Sequence, residues 1–352
     1  MIEEEKKKGS CNVEKALIWG GWPKRLEGHR LVFLCGVVFI LCGLGCADFR
    51  NEGLLQWLGV ENTWSSFSGQ QVLLNQTQLE EREVQVPCEP VQDYLEARLA
   101  SLGASLPSSE AVAGHAEGRH AHIKRELQST VAVLEGRSKD PILLIAPYRG
   151  ACEKRIEENP QNAWANASFL LELGRVLSAQ PQPYTIWLVF IPENSPGAQR
   201  SASIVESLST PWLGSERVAE ALKAEGVLNQ VRVAIFFDGL GSTGESVSRD
   251  SHSHPVYREV FWESAQALDA TDVFSDTSDL SSSALGHHAF LGKGLRRTVL
   301  ITTGTSEISE NRTDSVTQSS QANRWQTVGR VSVEALGRIG RRLQRMDKIS
   351  GG

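Results

Sequence analysis

Residues 184–194, YTIWLVFIPEN, are a run of apolar and aromatic side chains that ends abruptly at a proline, a carboxylate and an amide. A run of this length and composition is typical of a strand that is buried on both faces. The polar pair Glu193 and Asn194 would then lie where the strand meets solvent. Two interpretations are open for this pair: the edge of an active site, or a strand end followed by a turn.

Three further apolar runs alternate with amphipathic segments along the chain. The runs are residues 141–148, 231–238 and 296–302. Apolar residues recur at helical spacing in residues 89–104, 166–179, 215–226, 254–268 and 323–344. Strands that are apolar on both faces and alternate with helices predict an α/β fold, with a mostly parallel central sheet covered by helices on both faces.

The bulk composition is ordinary for a globular protein. The chain has 352 residues and a formal net charge of −6 at pH 7. This balance indicates no nucleic-acid partner, because nucleic-acid-binding proteins usually present a basic face. Four of the six cysteines lie within the first 46 residues and no C-x-x-C pair occurs, so a cysteine-rich zinc site is not expected. The other two, Cys88 and Cys152, could form a disulfide in an oxidising compartment.

The N-terminal part contains an uncharged apolar stretch at residues 31–47. As a helix it would be about 25 Å long, slightly shorter than the ~30 Å hydrocarbon core of a bilayer. Lys24, Arg25 and Arg30 precede it, so the positive-inside rule places the first 30 residues in the cytoplasm and the rest outside it, in a lumenal, periplasmic or extracellular space. A cleaved signal peptide is the competing interpretation, and lipidation at Cys46 is a further alternative. The long polar head favours an uncleaved anchor.

These patterns predict a chain of several parts. They are a cytoplasmic head (residues 1–30), a transmembrane helix or signal anchor (31–47), a linker or stalk (48–87), a folded domain (88–347) and a short tail (348–352).

The carboxyl ends of the predicted strands are where ligands bind in parallel sheets. Glu193 and Asp238 follow two of the runs, and His287 lies in the loop before the last one. By type these side chains are a general base and two metal ligands. Each also has a simpler interpretation as a polar residue in a solvated turn.

Taken in order, these segments resemble the zinc aminopeptidase and glutaminyl cyclase family, metallopeptidase family 28. NAWANASFLLELGRVL is similar to the family's segment from a ligand aspartate into a helix, and YTIWLVFIPEN to its strand ending in a double glutamate. VRVAIFFDGLG resembles the strand that ends in another ligand aspartate. LGHHAFLGKGLRRTVLITTG resembles the histidine loop and the last strand. The resemblance covers about residues 93–342.

Carried over residue by residue, the resemblance implies a site that has lost most of its ligands. Pro147 stands at the first histidine ligand, Ala165 at the bridging aspartate, and Asn194 at the second glutamate. Glu193 matches the general base, and Asp238 and His287 match the remaining ligands.

Such a site should not hold zinc. The resemblance implies that Asp238 and His287 belong to different metals, whereas a catalytic zinc normally takes three protein ligands and a water. Without the metal, the base Glu193 would be idle. We therefore expect no cofactor, and a membrane-anchored extracytoplasmic module that binds an unknown protein or peptide.

The alternative is an active zinc aminopeptidase or glutaminyl cyclase with a non-standard metal site. His252, His254 and His288 could supply replacement nitrogens. Arg149 could instead replace the lost metal charge by pairing with Asp238.

A basic helix is predicted near the end of the chain. It carries Arg330, Arg338, Arg341, Arg342 and Arg345. An anionic partner is one interpretation, but a solvated face with cations near the helix C-terminus is favoured.

Overall fold

The computed structural model describes residues 66–85, 91–105, 129–149, 164–193, 213–241, 246–279, 286–303 and 318–350. The predicted cytoplasmic head, the predicted membrane helix, Asn194 and the cysteine pair Cys88 and Cys152 lie outside these ranges. Within them, no helix has both the length and the apolar composition needed to span a bilayer.

The predicted sheet is present and mostly parallel. Its strands are β1 (Thr130–Leu134), β2 (Gly136–Arg149), β3 (Gln182–Glu193), β4 (Val233–Phe237) and β7 (Thr298–Ile301), in the spatial order β1-β3-β2-β4-β7. Strand β1, which the sequence analysis did not predict, pairs with β3 in antiparallel fashion at one edge. The other three pairings are parallel, as the double-sided apolar runs predict. Strands β5 (Val247–Asp250) and β6 (Phe274–Asp279) form a separate two-stranded sheet.

Helices cover both faces of the central sheet, as predicted. They are α1 (Gly69–Gln85), α2 (Gln92–Ser101), α3 (Ala165–Ser178), α4 (Leu213–Ala224), α5 (Pro255–Ala267), α6 (His287–Gly292) and α7 (Gln318–Ser350). Alternate residues of each strand enter two separate cores. Leu144 of β2 packs with residues of α3, α5 and α7, whereas its neighbour Leu143 packs with residues of α4 and α6.

Helix α1 corrects the predicted boundary of the folded domain. Most of its length falls in the segment predicted as a linker, yet it packs against α3 and α7. Gln326 of α7 accepts a hydrogen bond from the backbone N–H of Gly69 at 2.7 Å. A Cβ at Gly69 would lie only 1.8 Å from the carbonyl oxygen of Ala322, so the two backbones approach closely. The largely polar sequence of α1 hid this packing, because few of its side chains enter the core.

The free edge of β7 is covered by the segment after β5. The backbone N–H of His254 donates to the carbonyl of Thr298 at 2.8 Å, and Ser253 Oγ accepts from the backbone N–H of Leu300 at 2.9 Å. These bonds satisfy edge groups that would otherwise be open to another strand. They also fix residues 250–254 beside the start of α6.

Candidate functional site

The carboxyl ends of the central strands meet at one edge of the sheet, as expected for parallel strands. Pro147 of β2 pairs with Ile191 of β3, and the backbone of Arg149 pairs with that of Glu193. Asp238 directly follows β4, the neighbour of β2 on its other side. The side chains of Arg149 and Glu193 lie outside the described part of the structure, so the proposed Arg149–Asp238 ion pair stays a prediction.

Asn166 connects these strand ends, a role that the sequence analysis did not assign to it. This buried residue lies in the first turn of α3, next to Ala165. Its Nδ2 donates to the carbonyl of Pro147 at 2.9 Å and to Oδ1 of Asp238 at 3.2 Å. Its Oδ1 accepts from the backbone N–H of Leu240 at 3.1 Å. One amide therefore joins β2, α3 and the loop after β4. The sequence feature that could have indicated this role is the polar Asn166 in the largely apolar start of α3.

Asp238 is held by protein donors. It is 8% exposed, and its Oδ1 accepts from the backbone N–H of Gly239 at 2.8 Å as well as from Asn166. Gly239 has φ 68°, and a Cβ there would lie 2.7 Å from Oγ1 of Thr302. Glycine permits this left-handed turn at little cost. This turn places the backbone N–H of Gly239 within hydrogen-bond distance of the Asp238 carboxylate. Hydrogen bonds to carboxylates are stronger than those between neutral groups.

Two of the positions that the resemblance assigns to metal ligands hold buried apolar residues. Ala165 is fully buried and Pro147 is buried, and neither can supply a metal ligand. Tyr148 stacks on Trp164, with ring centroids 5.2 Å apart and an interplanar angle of 28°. Burial raises the pKa of the Tyr148 hydroxyl well above its usual range. This hydroxyl is therefore protonated at neutral pH and is not an anionic ligand.

His287 pairs with a carboxylate that the sequence analysis did not single out. It is fully buried at the start of α6, and its Nε2 lies 3.4 Å from Oδ2 of Asp250, at the end of β5. Ser253 Oγ donates to the same Oδ2 at 2.7 Å. The structure thus places His287 with Asp250, whereas Asp238 is held by Asn166.

Two of the three histidines proposed as replacement ligands lie near His287. The ring centroid of His288 lies 4.4 Å from that of His287 and 4.6 Å from that of His252. Nδ1 of His252 is 3.6 Å from Oδ1 of Asp250. Burial, reinforced by the two neighbouring imidazoles, lowers the pKa of His288, which favours its neutral form. The third, His254, instead faces Tyr257 at a centroid distance of 5.0 Å.

The described residues do not fit a zinc ion in either place. No group of three or more His, Cys, Asp or Glu side chains in the described ranges is arranged to hold a metal. Three protein ligands are the usual minimum for a catalytic zinc. The two predicted remnant ligands, Asp238 and His287, each have a protein partner within the fold.

Comparison with known proteins gives the fold. Neither the known protein-family models nor the curated proteins include one that matches this sequence. Among solved structures, Porphyromonas gingivalis glutaminyl cyclase is 18% identical, with 78% of this chain and 99% of that chain covered and a TM-score of 0.57. A leucine aminopeptidase precursor from Bacteroides thetaiotaomicron is 15% identical, with coverages of 77% and 97% and a TM-score of 0.56.

A Zn-dependent exopeptidase from Parabacteroides distasonis is also similar, at 14% identity, coverages of 77% and 98% and a TM-score of 0.54. The resemblance predicted from the strand-end segments is therefore confirmed at the level of architecture. This chain has the fold of the glutaminyl cyclases and Zn-dependent exopeptidases.

Proposed function

We propose that this protein is a membrane-anchored, extracytoplasmic module with a peptidase-like fold and no catalytic metal centre. In this proposal it binds or scaffolds a protein or peptide ligand. The anchor is the uncharged stretch at residues 31–47, and the cations at Lys24, Arg25 and Arg30 orient it. The folded domain then lies on the side opposite the cytoplasm.

The hydrogen bond from Asn166 to Asp238 is the observation that supports this proposal most directly. A neutral amide contacts the carboxylate that the resemblance assigns to a metal. The same amide binds the carbonyl of Pro147, the residue at a lost ligand position. One amide from α3 therefore joins β2 and the residue after β4 at two positions that the resemblance assigns to ligands.

Catalysis by the family's chemistry would lack its activating group. A bound zinc lowers the pKa of its water toward about 7, which lets a nearby carboxylate generate the nucleophile. The residues at positions 147, 165 and 194 are proline, alanine and asparagine, of which the first two offer no ligand and the third only a neutral amide. Glu193 then has no acidified water to deprotonate.

Metal analysis of the full-length protein tests the proposal. The protein is purified without chelators, and its zinc is measured by inductively coupled plasma mass spectrometry. We expect less than about one tenth of an equivalent, because a single ligand per metal binds zinc weakly. We also expect no hydrolysis of aminoacyl substrates and no cyclisation of peptides with N-terminal glutamine. The triple variant Pro147→His/Ala165→Asp/Asn194→Glu is the positive control and should gain zinc.

The opposite result would be stoichiometric zinc in the unaltered protein together with turnover of either substrate. Loss of both in Asp238→Ala would assign them to the strand-end site and would refute the proposal.

A second candidate function is a hydrolase or acyltransferase with a non-standard metal site. One observation favours it: neither ring nitrogen of the fully buried His287 makes a hydrogen bond within the described residues, although its Nε2 lies 3.4 Å from Oδ2 of Asp250. Buried polar atoms are usually satisfied, and an ion is one way to satisfy them. In this case zinc would be lost in His288→Ala and His252→Ala and kept in Asp238→Ala. The same measurements therefore separate the two candidates.

A further inference from the structure

The last turns of α7 carry one face that is both basic and apolar. It consists of Arg338, Arg341, Arg342, Arg345, Met346, Lys348 and Ile349, which we call the α7 face. At ~100° per residue these seven side chains fall within an arc of about 160°. The opposite side of the same turns is buried in the core through Leu336, Ile339 and Leu343. The charged and apolar residues of the α7 face thus share one exposed surface.

Two exposed apolar side chains mark this surface. Ile349 is 82% exposed and Met346 is 47% exposed. The other large exposed apolar residues within the described ranges, Leu74 and Val256, lie apart on α1 and α5. A single exposed apolar residue needs no explanation. Met346 and Ile349 are three positions apart on the helix, so their side chains are neighbours and form one contiguous apolar patch, which we call the apolar tip.

The charge of the α7 face is not neutralised by the nearest acid in sequence. Asp347 points to the body of the domain, where its carboxylate contacts the hydroxyl of Tyr184 and the guanidinium of Arg232. Glu334, one turn before the α7 face, accepts a hydrogen bond from Arg338 at 2.7 Å and lies 3.6 Å from a guanidinium nitrogen of Arg341, so it offsets charge only at the start of this face. Arg345 and Lys348 flank the apolar tip and are exposed.

An interfacial membrane contact accounts for this combination. Cations near a helix C-terminus complement the helix dipole, which explains the arginines and lysine but not the exposed Ile349 and Met346. An acidic protein would likewise explain the charge alone. Apolar tips flanked by Lys and Arg are typical of helices that rest on anionic lipid.

The position at which the chain enters the domain is compatible with such a contact. Gly69 is hydrogen-bonded to Gln326 of α7, and the 23 residue steps along that helix from 326 to 349 correspond to about 35 Å. The 18 residues 48–65, which connect the predicted membrane segment to Ser66, can span at most about 60 Å. The connection is therefore long enough for the α7 face to reach the bilayer that holds the anchor.

We propose that the α7 face is an interaction surface for anionic lipid headgroups in the extracytoplasmic leaflet of the bilayer, with Met346 and Ile349 inserted among the headgroups. The proposal draws on the anchoring in the proposed function but concerns a separate surface. It adds a second, electrostatic contact that would fix how the domain is oriented on the membrane.

A photo-crosslinking probe tests the contact directly. The full-length chain, with benzoylphenylalanine in place of Ile349, is reconstituted into vesicles of phosphatidylcholine alone or mixed with phosphatidylglycerol. We expect lipid adducts at position 349, with a yield at least about fivefold higher in the anionic vesicles. Added salt should reduce the yield, because it screens exposed charges. The same probe at Ala224, an exposed residue of α4 on the other face of the sheet, is the position control.

Charge variants provide the matched comparison. Arg345→Glu/Lys348→Glu should abolish the excess of adducts in anionic vesicles. Lys223→Glu/Lys293→Glu changes the net charge equally on the other face of the sheet, at α4 and just after α6, and should leave it intact.

Three results would overturn the proposal: equal yields in the two lipids, equal yields at positions 224 and 349, or adducts at 349 that join two protein chains. Failure of the chain to float with neutral vesicles would refute the anchor alone. In that case the adducts in anionic vesicles still decide whether the α7 face binds lipid.

Discussion

Nδ2 of Asn166 lies 3.2 Å from Oδ1 of Asp238 and joins the first turn of α3 to the end of β4. The two residues are 72 positions apart in sequence. Both are buried, so this polar contact lies inside the fold at the edge formed by the carboxyl ends of the parallel strands. The stability of this edge should therefore depend on the amide.

We expect Asn166→Ala to destabilise the protein by about 2–4 kcal/mol, because it leaves several buried polar groups without their partner. Urea denaturation followed by circular dichroism measures the change. Asn229→Ala, at an exposed position, is the matched control. A double-mutant cycle with Asp238→Ala should show a coupling of about 0.5–3 kcal/mol. Strict additivity of the two changes would show that the bond contributes nothing specific.

Gly239 permits the turn that supports Asp238, and its replacement should be costly. Gly239→Ala combines a positive φ with a clash against Thr302, and we expect a loss of about 2–4 kcal/mol. Gly226 also has a positive φ, but a Cβ there meets nothing within 4 Å. Gly226→Ala should therefore lose only about 1 kcal/mol. Equal losses in the two variants, measured by urea denaturation, would mean that the close approach to Thr302 is unimportant.

Glu172 connects α3 to the residues just before α1, and its loss should loosen α1. Its buried carboxylate accepts from the backbone N–H of Ser68 at 2.8 Å and is bridged to Arg175 at 2.7 Å. We expect Glu172→Gln to lower the free energy of unfolding by about 1–3 kcal/mol. Limited proteolysis should then cut near residue 68 faster. Glu220→Gln alters an exposed pair with Lys293 and should change neither property.

His254 should make the protein less stable in mild acid. Burial lowers the pKa of His254 below its ordinary value, and the nearby guanidinium groups of Arg297 and Arg342 act in the same direction. As the pH falls through about 6.5, His254 becomes protonated in the unfolded chain while it stays neutral in the folded protein. The free energy of unfolding therefore declines. Besides these two arginines, the ring faces Tyr257, which is uncharged in this range.

The test compares unfolding free energies between pH 8 and pH 5 for the unaltered protein and His254→Asn. The variant should show the shallower decline on acidification. Because other titrating groups are common to both proteins, their contributions cancel in the comparison. Parallel pH profiles would show that His254 does not contribute to acid sensitivity.

The central strands and the helices beside them could be predicted from the sequence because their patterns are local. Runs such as residues 184–191 are short, apolar at nearly every position and rich in aromatic and β-branched residues, which favours a strand covered on both faces. Helix α1 could not be found this way. It buries residues such as Val72 and Leu79 within a polar sequence, and its position depends on Gln326, which lies 257 residues away from Gly69.

Some features of the candidate site could likewise be predicted from the sequence, and others could not. The order of the strand-end residues in the sequence determined that Glu193 and Asp238 end strands of one sheet, since parallel strands bring their carboxyl ends to the same edge. The sequence also determined that Pro147 and Ala165 offer no metal ligand, because that follows from their chemistry alone. Only the tertiary structure decided that Asn166 holds Asp238 and that His287 faces Asp250. Those pairings join distant segments through side-chain geometry, which no local pattern of residues specifies.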